Sequence, residues 1–159
     1  MTTKHESPGG ALLAAWRRFA GLPGGRRLFS WQVGRMAPYS GSMGAHVQAL
    51  EPGYARIELR DRRAVRNHLD SIHAIALANL GELTTGLAMT TALPPSVRGI
   101  PVHLTIEYAK KARGRLRAES RCTVPAVTQP TAHTATADIT DPQGDVVARI
   151  AVRWQLDPR

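Results

Sequence analysis

The chain reads as an α+β protein in which one long helix is buried against a curled antiparallel sheet of five or six strands. Three observations predict this. The stretch Asn67 to Thr91 passes from a polar loop into a helix that is apolar on nearly every side, and such a helix belongs inside other structure. Six other segments alternate apolar and polar residues, the pattern of strands with one wetted face. Their order is two strands, the helix, then four strands, with no internal repeat.

Taken in order, residues 1–10 read as a disordered leader. Leu12, Leu13 and Trp16 recur at helical spacing, and after the breaker Gly21-Leu22-Pro23-Gly24-Gly25 so do Leu28, Phe29, Trp31 and Val33. Residues 1–40 are therefore expected to be a partly helical extension on the outside of a main body at 41–159. A membrane-anchoring role needs a longer apolar stripe than this one. Ala45–Leu50 and Tyr54–Arg60 form a hairpin around Glu51-Pro52-Gly53. The helix is expected to be capped by Asp70 or Ser71 and ended by Pro94-Pro95. Gly81 and Gly86 each cost about 1 kcal/mol of helix propensity, so a backbone or a ligand is expected to approach closely there. Ile100, Val102, Leu104, Ile106 and Tyr108 make one face of the next strand. Segments at Leu116–Cys122, Thr131–Thr140 and Val146–Trp154 follow, the last two joined by the turn Asp141-Pro142-Gln143-Gly144.

The 159 residues suffice for one domain. With 5% aromatic residues the core is aliphatic. One cysteine, Cys122, excludes an internal disulfide and a cysteine metal cluster. No run reaches the ~18 apolar residues of a membrane span, and Arg17 and Arg18 follow the first apolar patch where a secretory signal would have them precede it. The expectation is a cytoplasmic protein without membrane partners. The net charge of +9 comes mostly from arginine spread along the chain. Aromatic residues do not interleave with the basic ones as a single-strand binder requires, and no zinc-finger or RNP pattern occurs. The plain reading is a solvated arginine-rich surface. The functional one is attraction of an anionic partner, whether nucleic acid, an acidic carrier protein or a phosphorylated small molecule, with nucleic acid behind the phosphorylated ligand.

One carboxylate, Glu82, sits inside the apolar helix, where it is costly unless partnered or working. Asn67 lies six positions before His73, and Glu82 nine positions after it. With the strand order, these spacings over residues 41–156 resemble the PaaI-like branch of the hotdog thioesterases. There an Asn precedes His-Gly-Gly by six, and a catalytic Asp or Glu follows the His by nine. The segment Ile100 to Gly114 is similar to the family's strand after the helix, in particular to a subgroup of unassigned function. At the Gly-Gly positions stand Ala74 and Ile75. Ala74 keeps the backbone N–H that the family uses on the thioester oxygen. Ile75 adds a side chain where the family leaves room for ligand.

The resemblance implies an acyl-CoA or acyl-carrier thioesterase, with coenzyme A entering as part of the substrate and no other cofactor or metal. Ala74 and Glu82 lie ~12 Å apart along one helix and point to nearly opposite sides. If they share a site, it is made from two copies of the chain, and the resemblance implies that arrangement in a homodimer or tetramer. Glu82 would be general base or nucleophile, and Ala74 N–H the oxyanion donor. Asn67 would orient water or the carbonyl, His73 brace the loop, and Thr85 hydrogen-bond Glu82. Arg62, Arg63, Arg66, Lys110, Lys111 and Arg113 are the candidates for the anionic part of coenzyme A. Duller roles stand beside these: an ion pair for Glu82, a cap for His73, loop closure for Asn67, a structural hydrogen bond for Asn79. A hotdog that binds acyl-CoA without cleaving it, a hydratase or dehydratase, and a basic scaffold are the competing functions.

Overall fold

The computed structural model describes residues 7–159. Of the expected leader, residues 1–6 lie outside the described residues, and the rest is the start of a helix. Ser7 caps helix α1 (Pro8–Phe19), its hydroxyl accepting the Gly10 N–H at 3.0 Å. Pro8 takes the first helical position, where its missing N–H costs nothing. Helices α2 (Gly25–Met36) and α3 (Pro38–Ser42) follow.

These helices do more than decorate the body. Trp16 and Phe29 meet edge to face at 5.1 Å and share one core cluster with Leu77, Leu80 and Leu87 of the long helix α4 (Ala74–Ala92). α1 lies along α4 and α2 against the first strand. The long helix is thus covered by the sheet on one side and by the N-terminal segment on the other. That explains why its apolar residues run nearly all round. No described helix is long and apolar enough to cross a membrane.

The sheet is antiparallel, six-stranded and ordered β1-β2-β4-β5-β6-β3, from β1 (His46–Glu51), β2 (Tyr54–Leu59), β3 (Val97–Tyr108), β4 (Leu116–Arg121), β5 (Thr131–Thr140) and β6 (Val146–Pro158). The Asp141 turn forms as expected, with Oδ1 accepting the N–H groups of Gln143 and Asp145 at 3.0 Å each.

Helix α4 starts later than Asp70 or Ser71 would have it. Tertiary bonds hold the chain extended up to residue 73: Ile72 N–H donates to Ala112 O at 2.9 Å and His73 N–H to Val65 O at 2.8 Å. The cap falls to His73, whose Nδ1 accepts the Ile75 N–H at 3.0 Å.

The expected single apolar face of β3 is also split. A bulge between Pro101 and His103 shifts the register, so Ile100 pairs with Gln155, whereas Leu104, Ile106 and Tyr108 pair with the core residues Val152, Ile150 and Ala148. One extra residue exchanges the two faces of a strand. β3 is a sheet edge, and most of its apolar residues stay exposed: Ile100 by 60%, Val102 by 53%, Tyr108 by 48% and Leu104 by 38%.

The sheet-facing glycine of α4 has a packing reason. A Cβ on Gly81 would lie 2.5 Å from Ile150 Cγ2. Gly81→Ala therefore overpacks the helix–sheet contact at a cost of about 1–3 kcal/mol, which outweighs a propensity gain of up to about 1 kcal/mol. Thermal unfolding should show a lower Tm, and a raised one would mean that Ile150 simply moves aside.

Candidate functional site

Seven positions beyond Ile75 on α4, Glu82 turns away from the sheet into a groove between α4 and the pair α1 and α2. The groove has a volume of about 500 Å³ and is mostly carbon-lined, with Leu12, Phe29, Val33, Met36 and Leu87 among its walls. Glu82 is half-buried, and burial alone pushes its carboxyl above the usual carboxylate range. No arginine or lysine pairs with it among the described residues. Among the described residues the ion-pair role is therefore unfilled, and a proton-accepting role is open to it.

Thr85 does not support the carboxylate as expected. It is fully buried and its hydroxyl donates to the backbone carbonyl of Glu82 at 3.0 Å. It follows Gly81 by one turn, so it shares the sheet-facing side of α4. Asn79 lies on the groove side, and its Oδ1 accepts the hydroxyl of Ser40 at 2.8 Å. Ser40 in turn lines the Glu82 groove.

The other half of the expected constellation gathers at the start of α4. Asn67 closes the loop: its Oδ1 accepts the Leu69 N–H at 2.9 Å, the Ser71 N–H at 3.3 Å and the Ser71 hydroxyl at 3.2 Å. His73 is the cap. Ala74 is exposed as the first helical residue, so its N–H has no acceptor within the helix. Ile75 is 55% exposed. The Tyr108 hydroxyl, missed in the sequence, donates to the Ala74 carbonyl at 3.0 Å, and burial pushes that phenol up. His73, Ile75 and Asn79 line a shallow hollow of about 240 Å³ that is separate from the Glu82 groove. One copy of the chain does not bring Ala74 and Glu82 together.

Of the six basic candidates, four are tied into the fold. Arg62 donates to the carbonyls of Ser42 and Met43 at 3.0 and 2.7 Å, satisfying the end of α3. Arg66 pairs with Asp61 at 2.6 Å, which holds that carboxyl below its usual range. Lys110 bridges Asp141 and Asp145, each at 2.6 Å. Arg113 donates to the carbonyls of Asp70 and Leu69 at 3.1 and 3.4 Å. Arg63 and Lys111 are exposed.

A different basic group lines a polar cavity of about 610 Å³: Arg26 and Arg27 of α2, Arg60 after β2, and Arg115 before β4, the last paired with Glu58 at 3.1 Å. Burial first, then the charges of Arg60 and Arg27, hold the His46 imidazole at its rim below the ordinary value. Arg27 and His46 also line a neighbouring hollow of about 360 Å³, which shares Val33, Ser40 and Leu83 with the Glu82 groove. The three spaces are thus neighbours that share wall residues, in the order carboxylate groove, middle hollow, arginine cavity. The only sequence signal was the Arg26-Arg27 pair at a helix start; Arg60 and Arg115 join it through the fold.

A family profile described as Domain of unknown function (DUF4442) matches residues 25–156. No curated protein sequence matches the chain. Among solved structures, one structural-genomics protein is 28% identical with a TM-score of 0.80, covering 93% of this chain and 98% of its own. A Pseudomonas aeruginosa protein described as of unknown function and a probable thioesterase is 26% identical with a TM-score of 0.75, covering 87% and 97%. A thioesterase family protein from Silicibacter pomeroyi shares the fold at 16% identity, with a TM-score of 0.69 and coverage of 82% and 96%. The strand order, the wrapped helix and these likenesses agree: the chain belongs to the Domain of unknown function (DUF4442) family and has the hotdog fold of the thioesterase superfamily.

Proposed function

We propose that the protein hydrolyses acyl-CoA thioesters at composite sites between two copies of the chain. The observation that carries this reading is Glu82, a half-buried carboxylate with no cationic partner among the described residues, raised by burial and set at an apolar groove. Glu82 takes a proton from the water that attacks the thioester carbonyl, or attacks that carbon itself to give a mixed anhydride that water then opens. The carbonyl oxygen gains negative charge, which the free Ala74 N–H of the second copy stabilises at the positive end of its helix. The C–S bond breaks, and coenzyme A leaves as the thiolate that picks up the proton.

Two features favour the second copy. Ala74 is not among the walls of the Glu82 groove in one chain, and β3 is an unpaired edge that exposes apolar side chains on both of its faces. For the coenzyme, the arginine cavity, which neighbours the Glu82 groove by way of the middle hollow and its shared walls at Arg27, His46, Val33 and Leu83, supports Arg26, Arg27 and Arg60 as phosphate contacts. Arg63 and Lys111 remain the other candidates, each exposed.

The test is a panel of acyl-CoAs with a reagent that traps free thiol. Turnover lost in Glu82→Gln supports the reading, and a fully active Glu82→Gln removes it. The joint change Arg27→Glu and Arg60→Glu should raise KM for acyl-CoA about tenfold or more, with a much smaller effect on the acyl-N-acetylcysteamine thioester, which carries no phosphate. Equal effects on both substrates would exclude these arginines as phosphate contacts. The exposed Ile75 at the helix start, and Asn67 already engaged in its loop, favour a second reading: a protein that binds acyl-CoA without cleaving it. Tight binding with no turnover for any substrate would select it.

A further inference from the structure

The glycines of α4 are not equivalent. Gly81 is demanded by Ile150, whereas a Cβ on Gly86 would meet only Glu82 Oε1, at 3.8 Å, an ordinary contact. Gly86 is helical, so no left-handed backbone requires it. It nonetheless gives up helix propensity in the middle of a long helix. What it preserves is space in the groove, one turn beyond the carboxylate.

The lining says what fits there. Among the described residues Glu82 is the sole charged side chain of the groove, and the other polar side chains, Gln32, Ser40 and Thr90, are few against the carbon walls. From Glu82 the groove follows α4 to Thr90, eight residues or ~12 Å. An extended chain advances ~1.2 Å per bond, judged from the three backbone bonds of each extended residue. That length accepts about ten carbon atoms in a row.

We infer that this groove holds the acyl chain of a medium-length, unbranched aliphatic thioester, which passes Gly86 and lies between α4 and the wall made by α1 and α2. The assignment rests on the hydrolase reading only for where the carbonyl sits, at Glu82. It gives the N-terminal helices a role in substrate choice: their side chains Leu12 and Phe29 bound the chain on the side away from α4.

Binding tests this without requiring turnover. The affinities of full-length protein for non-hydrolysable thioether analogues of butyryl-, hexanoyl-, octanoyl-, decanoyl- and tetradecanoyl-CoA are measured by calorimetry. Affinity should rise roughly two- to fourfold per methylene and level off near ten carbons. Gly86→Leu should weaken the decanoyl analogue at least tenfold and flatten the dependence on length. Gly86→Ala, whose Cβ fits, should melt at or above the wild-type temperature and lose less affinity, which separates groove filling from misfolding. Affinity independent of length, tighter binding of a phenylacetyl analogue than of the decanoyl one, or a folded Gly86→Leu that binds as wild type would each overturn the proposal. Length-dependent binding with no hydrolysis of the true thioesters would uphold the groove and remove the hydrolase. Hydrolysis indifferent to chain length would do the reverse.

Discussion

Glu82→Gln should lower kcat by about 10²–10⁴, the range that general acid–base groups supply, while raising the stability of the fold at neutral pH. The two effects share one cause. Burial pushes the Glu82 carboxyl up, so the folded chain binds that proton more tightly than the unfolded chain does. The stability this contributes is complete below the unfolded pKa and is lost as pH rises through the folded one. At neutral and alkaline pH the wild type thus keeps an unfavourable charge that glutamine lacks. Melting curves should place Glu82→Gln above wild type there, with the gap closing as pH falls toward the ordinary glutamate value of ~4.3. Catalysis runs the opposite way, because the base must be ionised: kcat should fall on an acid limb whose midpoint lies above that value. A glutamate serving as the buried half of an ion pair with a second copy would behave differently. Its replacement would weaken the dimer and lower the Tm at neutral pH.

The parts legible in the sequence were those governed by local pattern. Alternation exposed the strands, and a helix apolar all round announced that it would be covered. Glu82 stood out because a carboxylate in such a helix has few reasons to be there. What the pattern could not give was placement decided by distant residues. Asp70 and Ser71 are good caps by type, yet bonds from Ala112 and Val65 keep the chain extended past them and hand the role to His73. Thr85 is one turn from Glu82 in sequence and on the sheet side in space. The engagements of the basic residues were hidden for the same reason. Arg62, Arg66, Lys110 and Arg113 sit in loops that suit a phosphate, but each is engaged by a carbonyl or carboxylate brought in by the fold. Arg26, Arg27 and Arg60 converge only because α2 crosses beside the β1–β2 hairpin. The N-terminal helices were legible as helices. Their share in the core was not, because Trp16 and Phe29 show their partners only once α4 is in place.

Ala74→Pro should cost about 10²–10³ in kcat, the effect of losing one oxyanion donor, with the helix left standing. The site suits the change. Ala74 is the first residue of α4, where proline is tolerated because its missing N–H has no helical acceptor. His73 before it already has φ −63° and ψ 140°, the extended geometry that a following proline imposes. A large loss of kcat with nearly unchanged Tm would mark the N–H itself as the working group, and loss of fold would be visible in the melting curve. The same variant decides whether the site spans two copies. Inactive Glu82→Gln and inactive Ala74→Pro chains are unfolded together, mixed in equal amounts and refolded. If a site takes Glu82 from one copy and Ala74 from the other, each mixed dimer carries one site with both groups intact and one with neither. Random pairing then makes half the dimers mixed, and about a quarter of wild-type activity should return. If both groups of a site came from the same copy, every site would carry one lesion and nothing would return. The separation of Ala74 from the Glu82 groove within one chain makes recovery the expected result.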